Sequence, residues 1–159
     1  MVPNWDVVRG SRRSYALLCE NICLAISPPQ KKPMPGLERD TPIPTALTLD
    51  RKRHLLALAY TEKTGEKTHE LSFEFLRVHS PSAEVRGHGP GQEVLQVGKR
   101  NVDITELEPV GMYAVRPSFS DGHNSGIFSW DYLIKLCIEK DRLWDEYLAR
   151  MEKAGAKRD

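Results

Sequence analysis

An excess of charge of either sign is missing from this 159-residue chain: 23 Lys plus Arg stand against 22 Asp plus Glu, for a formal net charge of +1. No global field therefore draws it onto nucleic acid or an anionic membrane surface. Cysteine is scarce and odd in number, with only Cys19, Cys23 and Cys137. That excludes a disulfide-stapled secreted scaffold and fits a reducing, cytoplasmic compartment. Long apolar runs are missing as well. The run that follows Arg12-Arg13 superficially resembles a twin-arginine export signal, but Glu20 and Asn21 interrupt it and no A-x-A cleavage pattern follows. It also falls short of the ~20 apolar residues that span a bilayer. Neither nucleic acid nor membrane is the expected partner.

What is present is ordinary for a folded domain: 40% hydrophobic residues, 28% charged residues, and 11 each of glycine and proline. A single core is expected, since a domain of this size buries roughly 70% of its unfolded surface. Six prolines fall between Ser27 and Pro44, a density that excludes regular helix or sheet and marks a linker. Residues 1–40 are thus read as an N-terminal extension, either short amphipathic helix or unstructured chain, plus this linker. No function is assigned to residues 1–33, which precede Met34. The domain proper is placed at 41–138, and 139–159 is read as the continuation of a C-terminal helix with a charged tail.

After Pro44 the apolar period becomes two, and Ala46–Leu49 with Leu55–Tyr60 predicts a hairpin across the turn Asp50–Arg53. Thr68–Leu71 predicts a third strand. Ser72 is placed to cap one or two turns of helix in Phe73–Arg77. His79–Gly98, rich in glycine, predicts a long loop. Val102–Leu107, Met112–Phe119 and Gly126–Phe128 predict further strands, the last two paired through the turn at Asp121-Gly122. From Ser129, Trp130, Leu133, Cys137, Trp144, Leu148 and Met151 recur at helical spacing. The sum is an α+β two-layer domain with a mostly antiparallel or mixed sheet of about five to six strands, one short helix and one long C-terminal helix.

Chemistry is harder to find. Cys19 and Cys23 are four apart, but two thiols do not make a zinc site, and Cys137 reads as core. Gly87-His88-Gly89-Pro90-Gly91 lacks the spacing of a phosphate loop. Ser80, Ser82 and Ser125 lie near histidines, yet no nucleophile, base and orienting acid can be assembled from spacing alone. His79, His88 and His123 with Glu84, Arg86 and Asp121 form a candidate polar cluster if the loop and the later turn meet. Imidazole with carboxylate suits a borderline divalent metal, iron or zinc, or proton chemistry near neutral pH. Arg51, Lys52, Arg53, Lys99 and Arg100 are a remote candidate surface for RNA.

Three ordered motifs carry a resemblance: LRVHSPSAEVRGH (Leu76–His88), VDITELEPVGMYAV (Val102–Val115) and FSDGHNSGIFSWDYL (Phe119–Leu133). Together they resemble the domain of unknown function at the N-terminus of gamma-butyrobetaine hydroxylase, in a short stand-alone bacterial form. In zinc-binding relatives the loop reads C-P-C-x-x-C and a later histidine completes the site. The resemblance places those ligands at Ser80, Ser82, Val85 and His123, of which only His123 is a zinc ligand by chemistry. It therefore implies loss of the structural zinc. The hydroxylase chemistry belongs to a separate domain, so hydroxylation is not carried over.

The expectation is a non-catalytic accessory module. Arg77, His79, Arg86, His88, Asp121 and His123 are its expected contact residues for a protein partner, and the related domains attached to iron–sulfur carrier ATPases imply a client in iron–sulfur protein assembly. In the plainer reading, Arg77 and Asp121 merely pin the loop by a salt bridge and the histidines are solvated. The alternative is an iron- or zinc-binding protein, or a domain associated with a metal-dependent oxidoreductase, using His123 with His79 or His88 and a carboxylate.

Overall fold

The computed structural model describes residues 21–25, 41–62, 65–87 and 93–159. Cys19, His88, Gly89 and Gly91 lie outside them. Among the described residues, seven strands form two antiparallel sheets, one in the order β1-β2-β3-β4 and the other β5-β6-β7. The α+β class and the antiparallel pairing follow the sequence pattern, but the strands divide between two sheets where one was expected.

The first sheet is built on β2 (Ala46–Asp50) and β3 (Leu55–Glu62). Leu49 pairs with Leu56 and Leu47 with Leu58, and all four are buried. That is the alternation of a strand with one wet face. β4 (Gly65–Ser72) pairs with β3 and is exposed until Leu71 meets the core. β1 (Asn21–Ala25) adds antiparallel to β2, with Ile22 opposite Leu49. It lies within the stretch read as extension, and as strand it excludes a helix there. Five residues are too few for periodicity to separate strand from helix.

Ser72 ends β4 and caps α1 (Phe73–Val78), its Oγ accepting from the Phe75 N–H at 3.1 Å. Every residue of α1 is buried, Glu74 and Arg77 included. The loop that follows holds a short helix, α2 (Ala83–Arg86), that the glycine-rich pattern concealed. The second sheet comprises β5 (Ile104–Val110), β6 (Ala114–Phe119) and β7 (Phe128–Ser129). The expected C-terminal helix is interrupted at Glu139 into α3 (Trp130–Ile138) and α4 (Lys140–Lys153). The break redirects the apolar stripe. Trp130, Leu133 and Leu136 of α3 join the main core, whereas Tyr147 and Met151 of α4 pack on Val78. No helix among the described residues is long and apolar enough to cross a membrane.

The tail beyond α4 returns to the domain. Main-chain N–H groups of Gly98 and Arg100 donate to the carbonyls of Lys157 and Arg158. Arg158 Nε donates to Glu74 Oε1 at 2.8 Å, and its guanidinium lies 5.0 Å from the Trp144 ring centroid. Glu74 is only 6% exposed, so Arg158 is what makes its burial tolerable. Arg158→Ala is therefore expected to lower the unfolding free energy by about 2 kcal/mol, discounted from a fully buried pair because Arg158 is partly exposed; urea titration measures it.

Candidate functional site

Helix α1 ends with Arg77 aimed inward at 3% exposure. A buried guanidinium needs a carboxylate and several acceptors, and each comes from a distant part of the chain. Nε donates to Asp121 Oδ2 at 2.9 Å, Nη1 to Gln96 Oε1 at 3.1 Å, and Nη2 lies 3.9 Å from Glu84 Oε1. Lys99 Nζ reaches the same Asp121 oxygen at 2.6 Å, and the His123 N–H donates to Asp121 Oδ1 at 3.3 Å. Gln96 in turn accepts from the Tyr147 hydroxyl through its carbonyl at 3.0 Å. Burial pushes the Asp121 carboxyl up, but the Lys99 and His123 hydrogen bonds and the charges of Arg77 and Lys99 outweigh it, holding the group below the usual range. The Arg77–Asp121 salt bridge of the plainer reading is thus present, but His123, which that reading left solvated, is buried.

A second chain of contacts lies beside it. Ser80 Oγ and His123 Nε2 are 2.8 Å apart, and His123 Nδ1 is 3.0 Å from Glu84 Oε2. A carboxylate accepts only, so Nδ1 donates to Glu84, while Nε2 and the Ser80 hydroxyl share the second hydrogen bond. The structure therefore assembles the serine, histidine and acid that spacing did not. It does not make them a hydrolytic centre. Ser80 is 1% exposed, and Gly126 packs so closely that an added Cβ would lie 2.2 Å from Ser80 Oγ. A nucleophile needs room for the carbonyl it attacks.

Ser80, Ser82, Val85 and His123, the four positions the resemblance assigned to zinc, are all buried. The Ser82 hydroxyl has no hydrogen-bond partner. Two hydroxyls and a valine do not fit a zinc ion, which takes thiolate, imidazole or carboxylate. Among the described residues no group of three or more His, Cys, Asp and Glu side chains is placed to hold a metal. His79, the partner invoked for His123, faces elsewhere. Its Nδ1–H donates to the Phe75 carbonyl at 2.9 Å, and its ring packs 4.4 Å from that of Phe75. Burial pushes its pKa down against the pull of nearby carbonyls.

His79 and Arg86 instead border a groove of about 1090 Å³ between α1, α2, the 93–96 segment, α3 and α4. Val78, Val85, Leu95, Leu143 and Tyr147 give it an apolar lining. The Arg86 guanidinium sits 4.6 Å from the Tyr132 ring centroid, and Arg150 Nη2 donates to the Glu93 carbonyl at 2.8 Å. Gln96, Tyr132, Tyr147 and Arg150 were not singled out in the sequence. Gln96 falls in the His79–Gly98 stretch read as a loop. Cations weighed for RNA are engaged within the fold. Arg51 donates to the Thr105 carbonyl, Arg53 to Glu70, Lys99 to Asp121 and Arg100 to Asp159.

A family model for the gamma-butyrobetaine hydroxylase-like N-terminal region matches residues 47–134. Two solution NMR structures are similar at a TM-score of 0.64 each. One is 50% identical, covering 75% of this chain and 91% of that one. The other is 44% identical, covering 77% and 89%. A crystal structure of a protein of unknown function from Acidithiobacillus ferrooxidans, of the DUF971 family, is 35% identical over 60% of this chain and 91% of that one, with a TM-score of 0.46. No curated protein matches.

Two outcomes are expected. Asp121 is depressed in the fold, so its contribution is complete above its unfolded pKa of about 3.9 and is lost as pH falls through the folded value. Asp121→Asn should cost roughly 3 kcal/mol at pH 7 by stranding Arg77, and its deficit against wild type should shrink as pH falls below about 4. Urea titrations across that range would show it. Separately, the combined substitution Ser80→Cys, Ser82→Cys and Val85→Cys should take up about one zinc per chain on the tetrahedral pattern. Elemental analysis beside the wild type checks this, and an unloaded variant would mean the four positions do not converge.

Proposed function

The chain belongs to the gamma-butyrobetaine hydroxylase-like N-terminal family, and from that premise we propose that it is a non-catalytic binding module that seats a protein partner in the groove beside α1. The single observation that supports this most directly is the groove itself. It pairs an apolar lining with a charged rim, the composition of a recognition surface. Its neighbourhood is held by the buried Arg77 network, so little ordering is left to be done on binding.

The residues expected to touch the partner sort into two roles. Arg77, Asp121 and His123 act from within, as supports. His79 and Arg86 border the groove and are the members of that set that stand at the partner surface. For the partner class, the resemblance to domains joined to iron–sulfur carriers favours a client in iron–sulfur protein assembly, in a reducing, cytoplasmic compartment.

The reading is tested by a photo-crosslinking amino acid placed at Val94 or Lys135 on the groove, and at Arg116 on β6 as the control. Val94 and Arg116 are both exposed, and Arg116 is not part of the groove lining. The same protein adduct is expected from both groove positions in producing cells and not from Arg116. Adducts at Arg116 alone, or none from the groove, would refute a partner at this site.

A further inference from the structure

The rim of the groove is not electrically balanced. Arg86 at the end of α2, Lys135 on α3 and Arg150 on α4 approach it from three elements. Among the described residues, no ion pair ties any of the three to a carboxylate. The acidic residues on the lining do not cancel them. Glu93 and Glu146 are the carboxylates on the lining, so the cations exceed them by one, and Glu146 is further held at 2.5 Å by Arg142 on its own helix. Arg86 is stacked on Tyr132, a pose that leaves the edge of the guanidinium open to a carboxylate fork.

Beneath this rim the surface is apolar, formed by Val78, Val85, Leu95, Leu143 and Tyr147. At about 1090 Å³ the groove is at the upper end of what a single small ligand fills. An extended side-chain-bearing segment suits it better. We propose that the groove recognises an acidic peptide segment whose bulky apolar side chain seats between α1 and α4 while its carboxylates engage Arg86, Lys135 and Arg150. The proposal rests on the binding reading above and names the chemistry of the partner. Complementary charge of this kind raises the association rate and is weakened by salt, whereas the apolar anchor is not.

The probe is a displayed library of random peptides selected on the full chain, with the strongest binder then made synthetically. The expected consensus carries Asp or Glu on either side of a leucine or aromatic residue. Its affinity should fall at least tenfold in the double variant Arg86→Glu and Lys135→Glu, which alters exposed charges and leaves the Arg77 network intact, and should fall again as salt is raised. A basic or uncharged consensus, no consensus, or acidic binders indifferent to the double variant would each overturn the proposal. A groove crosslink together with a non-acidic consensus would reject only the acidic class. The absence of any groove crosslink would reject the binding reading itself.

Discussion

Burying the Arg77 guanidinium is the constraint on which the rest of this architecture turns. A charge taken out of water at the end of α1 is tolerable only if a carboxylate and further acceptors come to it. Asp121, Gln96 and Glu84 come from three separate stretches of chain. Satisfying one side chain thereby fixes where the 93–99 segment crosses, where the turn after β6 sits, and how α2 is held. Loops otherwise free to wander become walls.

The Ser80–His123 contact ties the loop after α1 to the turn after β6. The four positions that the family resemblance assigns to zinc are all buried, and two of them meet at 2.8 Å. A hydroxyl and an imidazole share a hydrogen bond there, and the missing side chain of Gly126 leaves space for it. The buried hydroxyl of Ser82 has no hydrogen-bond partner.

The strand pattern was legible because alternation in β2 and β3 is strict and the Ser72 cap is a local signal. Both depend on neighbours in sequence. The division into two sheets, the bend at Glu139 and the addition of β1 depend on packing between distant elements, which no window of sequence contains. The same distinction governs the site. His123 and Arg77 were identified by the motifs that carry the family resemblance, and Asp121 by its place in a turn. Their roles as internal supports were open until burial was known. Tyr147 and Arg150 carry no motif, Tyr132 lies within the third motif without a role assigned to it, and nothing else distinguishes the three in sequence from other helix residues. They matter only because α3 and α4 bend around one groove.

The pairing of Glu74 with Arg158 spans 84 residues. During synthesis, α1 emerges long before the arginine that neutralises its buried carboxylate. Until then the helix carries either an exposed face or an uncompensated charge, and contacts of such wide sequence separation form late because loop closure must precede them. The carboxylate buried in α1 therefore gains its partner only once the tail beyond α4 has docked against the 98–100 segment.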